Sequence, residues 1–299
     1  MLKVENVTKY YGDLKAVDNL SFEVEDGCIF GLLGLNGAGK TTTFRMIMGL
    51  IDDYTGSITL DGKKIDYSMT DKIGFLTEER SLLTKMTVIE QVKFYAILKN
   101  MKEEDIVKKL DYYLDKFGIS EYKYKKIKEL SKGNQQKIQF ITSIIHEPKL
   151  LILDEPFSGL DPINVELFKK EILELKEKGT SIIFSSHRME HVELFCEKLV
   201  VLVKGKTVLN GYLKDIKKEY KKKDVYIIGD VAKKDLEKIE GVVKVRKEND
   251  NYIVTISDEK YVSKLFNYVK KCDNIIRFSV EEPSLNEIFI EKVGNAYDK

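Results

Sequence analysis

The stretch that decides the fold is Gly34-Leu35-Asn36-Gly37-Ala38-Gly39-Lys40-Thr41, which fits the phosphate-binding pattern G-x-x-x-x-G-K-[ST]. Its three glycines let backbone N–H groups approach phosphate oxygens that side chains would crowd. Lys40 can reach the outer phosphates of a nucleoside triphosphate, and Thr41 offers a hydroxyl to Mg²⁺. An apolar run at 28–33 precedes the stretch, and a helical pattern follows from Thr42. This strand–helix context predicts a phosphate loop (residues 34–41) rather than a plain glycine-rich turn.

A second strand end carries two carboxylates. The apolar run at 150–153 leads into Asp154-Glu155-Pro156, as expected of a central parallel strand whose carboxyl edge carries chemistry. Asp154 can hold Mg²⁺, directly or through water, and Glu155 can polarise an attacking water. The alternative is an acidic pair at the start of a helix, where carboxylates are favoured. His187 follows another apolar strand at 181–185, and we expect it on the same edge.

Between these strands the sequence changes to a helical pattern. From Thr87 to about Glu129, apolar residues recur at three- and four-residue spacing, which predicts a helical subdomain over about 87–145, inserted into an α/β domain. Within it, Ser131-Lys132-Gly133-Asn134-Gln135 opens a helix that Ser131 can cap. Gly133 exposes backbone donors there, so this helix start could bind a second anion.

Two further residues are candidates because of where they stand. Tyr11 lies between predicted strands at 2–8 and 18–24, where it either faces an adenine or simply packs against the hairpin. Glu78 follows the predicted buried strand at 73–76. That strand would deliver Glu78 to the same edge of the sheet, although an exposed acid after a strand is the alternative.

Length and composition limit the number of domains and the classes of function that the chain can have. The 299 residues predict two domains, and the formal net charge of +1 gives no overall field that would attract nucleic acid. Three cysteines without C-x-x-C spacing argue against a disulfide framework or a zinc site. No apolar run approaches the roughly 18 residues of a membrane span, and the strand-like N-terminus is not typical of a signal peptide. The sequence therefore predicts a chain that neither spans a membrane by itself nor is secreted.

The pattern changes again near residue 215. We expect the first domain to occupy 1–215, followed by a linker at 216–223 whose lysines are either solvated or touch anionic lipid headgroups. Residues 224–299 then read β-α-β-β-α-β, which predicts a small ferredoxin-like accessory domain with a final helix. No cluster of side chains there is suited to chemistry, so its role stays open.

Taken in order, the motifs resemble the nucleotide-binding subunit of an ATP-binding cassette (ABC) transporter over about residues 1–215. The resemblance implies an α/β fold with a P-loop NTPase (RecA-like) core, an antiparallel β subdomain and a helical insert. The ferredoxin-like α+β module would follow that core. Five motifs in the family's order and approximate spacing are far more specific than one glycine-rich loop.

The resemblance also implies roles. ATP would bind at the phosphate loop and Thr42, with Tyr11 stacked on the adenine, while Thr41 and Asp154 hold Mg²⁺. Glu155 would be the general base, and His187 would sense the γ-phosphate. The signature segment binds the ATP of a partner chain in this family, and here it is Ser131, Lys132, Gly133, Asn134 and Gln135. A dimer loop would comprise Ser158, Gly159, Leu160 and Asp161.

Some residues depart from the family's usual pattern. Glu78 stands where glutamine is usual, which adds a carboxylate to the candidate metal ligands, and Lys132 and Asn134 replace the commoner glycine and glutamine. Together with residues 186–190 and the tail around 283–285, these departures resemble the branch that serves six-helix type-2 permeases. That branch includes drug, sodium and antimicrobial-peptide exporters.

The implied function is an ATPase that drives transport, with export as the expected direction. Two chains, identical or different, would close head to tail around ATP and move a separate membrane permease, which would hold this subunit on the inner face of the membrane. One alternative is a soluble ABC ATPase that acts on ribosomes, DNA or cluster assembly, but the chain has a single cassette and lacks a long coiled coil. Another is a regulatory module that binds ATP without hydrolysis, against which intact Lys40, Asp154, Glu155 and His187 argue.

Overall fold

The computed structural model describes residues 1–79, 81–249 and 251–297. The chain forms two compact units, Met1–Asn210 and Gly211–Lys299. Asp250 and the last two residues of the predicted accessory domain lie outside the described residues.

The strands of the first unit are β1 (Leu2–Tyr11), β2 (Leu14–Val24), β3 (Ile29–Gly34), β4 (Thr55–Leu60), β5 (Lys63–Lys64), β6 (Ile73–Leu76), β7 (Leu150–Asp154), β8 (Ser181–Ser185), β9 (Lys198–Val203) and β10 (Lys206–Tyr212). The last two residues of β10 extend past Asn210, where this unit ends. Its helices are α1 (Lys40–Ile47), α2 (Val88–Leu98), α3 (Glu103–Lys116), α4 (Lys132–Ile144), α5 (Pro162–Glu177) and α6 (Met189–Phe195). Short 3₁₀ helices occupy Tyr67–Lys72, Ser120–Tyr122 and Ile127–Glu129.

These strands form a mixed sheet in the order β5-β4-β1-β2-β10-β9-β3-β8-β7-β6. The β6, β7, β8, β3 and β9 strands run parallel, whereas β1, β2, β4 and β5 pair antiparallel. Every residue of β3, β7 and β8 is buried, which suits parallel strands covered on both faces. The carboxyl ends of parallel strands meet at one edge, so the residues that follow β3, β6, β7 and β8 share that edge.

The helical insert is built from α2, α3 and α4. A capping box between Thr87 and Glu90 starts α2. The insert is anchored by aromatic packing, because the Phe140 ring stacks on Phe168 of α5 at 4.6 Å and Phe117 contacts both rings edge-on. The insert therefore rests on the helix that follows the dimer loop.

The second unit contains α7 (Leu213–Glu219), β11 (Lys223–Ile228), α8 (Lys233–Leu236), β12 (Val242–Glu248), β13 (Asn251–Ile256), α9 (Val262–Val269), β14 (Arg277–Glu281) and α10 (Leu285–Tyr297). Its antiparallel sheet has the order β12-β13-β11-β14, which is the ferredoxin-like arrangement. A separate apolar core includes Val225, Leu236, Val254 and Leu265. Half of the segment expected to be a linker, residues 216–219, lies in α7, where the apolar side chain of Ile216 is buried.

Within the residues that the structure describes, no helix combines the length and the apolar character needed to cross a bilayer.

Candidate nucleotide-binding site

The phosphate loop depends on glycine at three positions. Gly34, Gly37 and Gly39 have φ angles of 153°, 78° and 105°, which side chains rarely adopt. A Cβ at Gly34 would lie 2.6 Å from the Leu202 carbonyl oxygen, and one at Gly39 would lie 2.6 Å from that of Ala16. At Gly37 the same position is open. The loop is thus tightly packed at its two ends and open in the middle, as a cradle for phosphate requires.

Lys40 and the start of α1 complete this cradle. The Lys40 ammonium donates to the Gly34 carbonyl at 2.7 Å, so it lies over the loop. Gly39 is the N-cap of α1 and no side chain caps the helix, which leaves the backbone donors of the first turn available for an anion. The hydroxyl of Thr43, which the sequence did not single out, donates to the Gly39 carbonyl at 2.9 Å and so helps to fix the end of the loop.

Asp154 ends β7 and pairs in register with Ser185 of β8. The Ser185 hydroxyl donates to the Asp154 carboxylate at 2.5 Å. Burial raises the pKa of Asp154, the Ser185 hydroxyl and the Lys40 charge lower it, and the Glu78 charge raises it. Asp154 ends β7, Glu78 follows β6 and Lys40 follows the loop after β3, so the carboxyl ends of parallel strands carry all three to this edge of the sheet.

Both the backbone and the side chain of Glu155 are held by the segment that ends β8. Its φ of 49° is unusual for a non-glycine residue, and its backbone N–H donates to the Ser185 carbonyl at 3.2 Å. The Ser186 hydroxyl donates to its carboxylate at 3.3 Å, and His187 Nδ1 lies 2.9 Å from the same oxygen. Burial raises the pKa of Glu155, whereas the contacts with His187 lower it. The result is a buried carboxylate that faces the exposed imidazole of His187.

The signature segment starts α4. The Ser131 hydroxyl accepts a hydrogen bond from the Asn134 N–H at 3.3 Å, which makes Ser131 the N-cap that was expected. Gln135 donates to the carbonyls of Ile127 and Leu130, at 3.1 and 3.2 Å, so its amide is used within its own loop. Among the described residues, no hydrogen bond or ion pair joins the signature segment to the phosphate loop.

The dimer loop leads into α5. The Asp161 carboxylate caps this helix by accepting from the Asn164 N–H at 3.0 Å, and Pro162 occupies its first turn. A cavity of about 530 Å³ is lined by Glu78, Glu79, Lys132, Gln136, Ser158 and Gly159. It brings Glu78, the dimer loop and the first residue of α4 together on one surface.

Tyr11 lies at the end of β1, next to a turn at Gly12 with φ of 56°. Its side chain is 46% exposed, so much of its surface is available to a ligand.

Comparison with known proteins gives two family matches. Residues 17–158 match the ABC transporter family, and residues 211–293 match the C-terminal domain of ATP-binding proteins of the DrrA1-3 type. The uncharacterized ABC transporter ATP-binding protein YhaQ of Bacillus subtilis is 50% identical over the full length of both chains. This chain belongs to the ATP-binding proteins of ABC transporters.

More distant relatives agree with this membership. The ATP-binding protein NatA and the linearmycin resistance ATP-binding protein LnrL, both of Bacillus subtilis, are 32% and 34% identical, over 72% of this chain and 89% and 70% of theirs. A solved structure of an ATP-binding subunit of an ABC transporter has a TM-score of 0.70 and 29% identity, and covers 74% of this chain and 93% of its own. The family and the P-loop NTPase fold predicted from the sequence are therefore confirmed.

The donor set of this ABC subunit fits Mg²⁺. The Thr41 hydroxyl and the Asp154 carboxylate are hard oxygen ligands of the kind Mg²⁺ prefers. Within the described residues, no three His, Cys, Asp or Glu side chains form a metal-binding group. Thr41 and Asp154 would offer two oxygens, which would leave the other ligands of Mg²⁺ to phosphate and water.

Proposed function

We propose that this chain is the ATP-hydrolysing subunit of an ABC transporter that couples ATP-driven dimer closure to a separate membrane permease, and that it drives export. The main support is the meeting, at one edge of the parallel sheet, of the phosphate loop, Asp154 and the Glu155–His187 pair. These residues follow β3, β7 and β8, with β8 between the other two strands, which supports phosphate binding and water activation at one site.

In this proposal, Glu155 accepts the proton of the water that attacks the γ-phosphate. The Ser186 hydroxyl and His187 hold the carboxylate in position. Lys40 and the first turn of α1 stabilise negative charge on the phosphates. A bound Mg²⁺ would neutralise further charge on the same oxygens, with Thr41 and Asp154 as its ligands.

The second half of the ATP site comes from another chain. In one chain, the described contacts leave the signature segment apart from the phosphate loop, and Lys132, Ser158 and Gly159 line a surface cavity. A partner chain, identical or different, would bring its own signature segment to ATP, so that ATP joins the two chains. Hydrolysis would then release them, which makes dimer closure reversible.

A permease would bind at the helical insert. A groove of about 450 Å³ runs between this insert and the segment after α1, and its lining includes Leu50, Tyr67, Tyr95 and Leu98. Phe94 and Ile97 of the same helix, α2, are also exposed. Apolar side chains gathered at a groove are typical of a docking surface, and because the groove lining includes Thr77, next to Glu78, a permease bound there would be linked to the nucleotide.

The relatives' names support transport and its direction. One is named for linearmycin resistance, and the Haemophilus influenzae protein LptB, 32% identical over 76% of this chain and 97% of its own, is named for lipopolysaccharide export. If this subunit acts likewise, its permease holds it at the inner face of the membrane.

The test is a pair of variants with opposite effects. We expect Glu155→Gln to lower ATP turnover by at least about a hundredfold and to trap an ATP-bound dimer, because it removes the base and keeps the shape. Lys40→Ala should instead weaken ATP binding and stay monomeric. Size-exclusion chromatography with ATP and Mg²⁺, together with phosphate release, measures both effects.

The exposed Glu177→Gln on α5 is the matched control and should behave as the parent protein. A Glu155→Gln monomer that hydrolyses ATP at the parental rate would refute the catalytic assignment. A monomer without turnover would instead favour a heterodimer.

A further inference from the structure

Lys9 is an unusual residue in β1, because its side chain is only 4% exposed. Lysine is rarely buried unless it is paired. Its Nζ forms an ion pair with the Asp53 carboxylate and donates to the Asp53 carbonyl at 3.1 Å. The buried charge is therefore compensated from one residue in the segment that follows α1.

The same ammonium lies 4.7 Å from the centre of the Tyr11 ring. Residues 9 and 11 are two apart on a strand, so their side chains share a face of the sheet. A cation at this distance over an aromatic face is attracted by the ring's quadrupole. One face of the Tyr11 ring is thereby occupied by Lys9, while nearly half of the side chain stays exposed.

The backbone alone leaves the direction of Tyr11 weakly specified. The β1–β2 register shifts on both sides of Lys9, and the glycine turn follows directly after Tyr11. Such irregularities bend and twist a strand locally. A contact that fixes the ring must then come from side chains, and Lys9 supplies it.

Lys9 also connects two parts of the nucleotide site. Asp53 follows α1, the helix that begins at the phosphate loop. The chain Tyr11–Lys9–Asp53 thus joins the aromatic ring to the segment that continues from the phosphate-binding helix. This arrangement can set the distance and angle between a stacked base and bound phosphates.

We propose that Lys9, fixed by Asp53, is a positioning residue that holds the Tyr11 ring for stacking on the adenine of ATP. The proposal rests on the adenine contact of Tyr11 in the proposed function. It requires that loss of Lys9 weaken recognition of the base while the binding of phosphate is kept.

The test compares a ligand with a base and one without. Binding of a non-hydrolysable ATP analogue and of inorganic tripolyphosphate, each with Mg²⁺, is measured by calorimetry on the full chain. Lys9→Met keeps the length of the side chain and removes its charge. We expect this variant to bind the ATP analogue about three- to tenfold more weakly and to bind tripolyphosphate with unchanged affinity.

Two companions make the result specific. Tyr11→Ala should lower the affinity for the ATP analogue at least as much. The double variant should bind the analogue no more weakly than Tyr11→Ala does, because the two residues act as one unit. Lys9→Arg keeps a cation over the ring and should restore most of the affinity. Should circular dichroism show that Lys9→Met is unfolded, Asp53→Asn, at an exposed carboxylate, is measured instead and should weaken only the analogue.

Lys15→Met is the matched control. On the same hairpin, the Lys15 ammonium lies 5.4 Å from the centre of the Tyr10 ring and donates to Asp18 at 3.0 Å. It should bind both ligands as the parent protein does.

Three results would overturn the proposal. Parental affinity of Lys9→Met beside a weakened Tyr11→Ala would leave the adenine contact standing and remove the role of Lys9. Equal losses for both ligands in Lys9→Met would indicate general damage to the fold. Parental affinity of Tyr11→Ala would refute the adenine contact itself, a result distinct from any failure of the Glu155→Gln dimer test.

Discussion

Two serine hydroxyls hold the carboxylates that follow β7. Ser185 donates to Asp154, and Ser186 donates to Glu155. Ser185 ends the mostly apolar strand β8 and Ser186 follows it, and their polar character was the only signal in the sequence for this role. Burial raises the pKa of both carboxyl groups, and each hydroxyl offsets part of that rise because it stabilises the ionised form.

Glu78 is exposed, yet its charge raises the pKa of Asp154. We therefore expect Glu78→Gln to keep ATP binding and dimer formation, but to shift the Mg²⁺ dependence of turnover to about two- to fivefold higher concentration, because a negative charge beside the metal is lost. The neighbouring Glu79→Gln, which lines the same cavity, is the control. Superimposable Mg²⁺ titrations for Glu78→Gln and the parent protein would assign Glu78 to the surface alone.

At the scale of elements, α4 is tied to β6 by a histidine just beyond its end. His146 Nε2 lies 3.3 Å from the Ile73 carbonyl oxygen, so the neutral ring carries its proton on Nε2. Its Nδ1 is buried without a hydrogen-bond partner among the described residues. Burial lowers the pKa of His146 to about 4, and the charge of Lys99 adds to this effect. Protonation would place a proton on Nδ1, for which the described residues offer no hydrogen-bond acceptor.

This geometry predicts a loss of stability in acid. Below an unfolded-state pKa of about 6.5 the unfolded chain takes up a proton that the folded chain refuses, so the free energy of unfolding falls as the pH drops from about 6.5 towards 4. The contribution of His146 is at most about 3 kcal/mol. Urea denaturation of the parent protein and of His146→Gln at pH 7, 6 and 5 measures it. We expect a shallower pH dependence in the variant, and parallel curves would show that His146 does not titrate in this range.

The helix α2 carries the prediction for the permease. Leu98 lines the groove and is exposed, so Leu98→Asp would place a charge in the proposed docking surface. We expect it to reduce co-purification with the permease from membranes at least about tenfold, without changing ATP binding by the isolated subunit. Leu173→Asp, at an exposed position of α5 outside the groove lining, is the matched control. Equal recovery of the permease with both variants would place its docking surface elsewhere.

At the scale of the whole molecule, two units have separate apolar cores. The residues proposed to bind ATP all lie in the first unit, and β10 ends at Tyr212. A chain cut after Leu213 should therefore fold and bind ATP within about twofold of the full-length affinity, since the cut spares the last strand of the sheet. Calorimetry with ATP measures it, and circular dichroism checks folding. A folded truncation that has lost ATP binding would give the second unit a part in the nucleotide site.

The second unit has a polar cluster of its own beside its core. Arg246 donates to both Asp224 and Glu287 at 2.9 Å, and thereby ties α10 to β11 and β12. Burial raises the pKa of Asp224. This network fixes the position of α10 against the sheet of the second unit.

The sequence by itself determined the local chemistry. The phosphate loop could be recognised because its glycines, Lys40 and Thr41 act within eight consecutive residues, and Asp154 and Glu155 because they end a wholly apolar strand. The order of strands and helices after residue 224 was enough to predict the ferredoxin-like unit, since short β-α-β-β-α-β segments have few ways to pair.

The tertiary structure alone decided which of these pieces meet. The contact of Lys9 with Asp53 spans 44 residues, and that of Ser185 with Asp154 spans 31. No periodicity reports such pairs, because they follow from strand order in the sheet rather than from neighbours in the chain. The expected linker shows the same limit at short range. Its lysines at 217–223 suggest a solvated segment, yet the chain forms the helix α7 there and buries the apolar side chain of Ile216. Local pattern specifies what each segment can do, and packing selects the partner with which it does so.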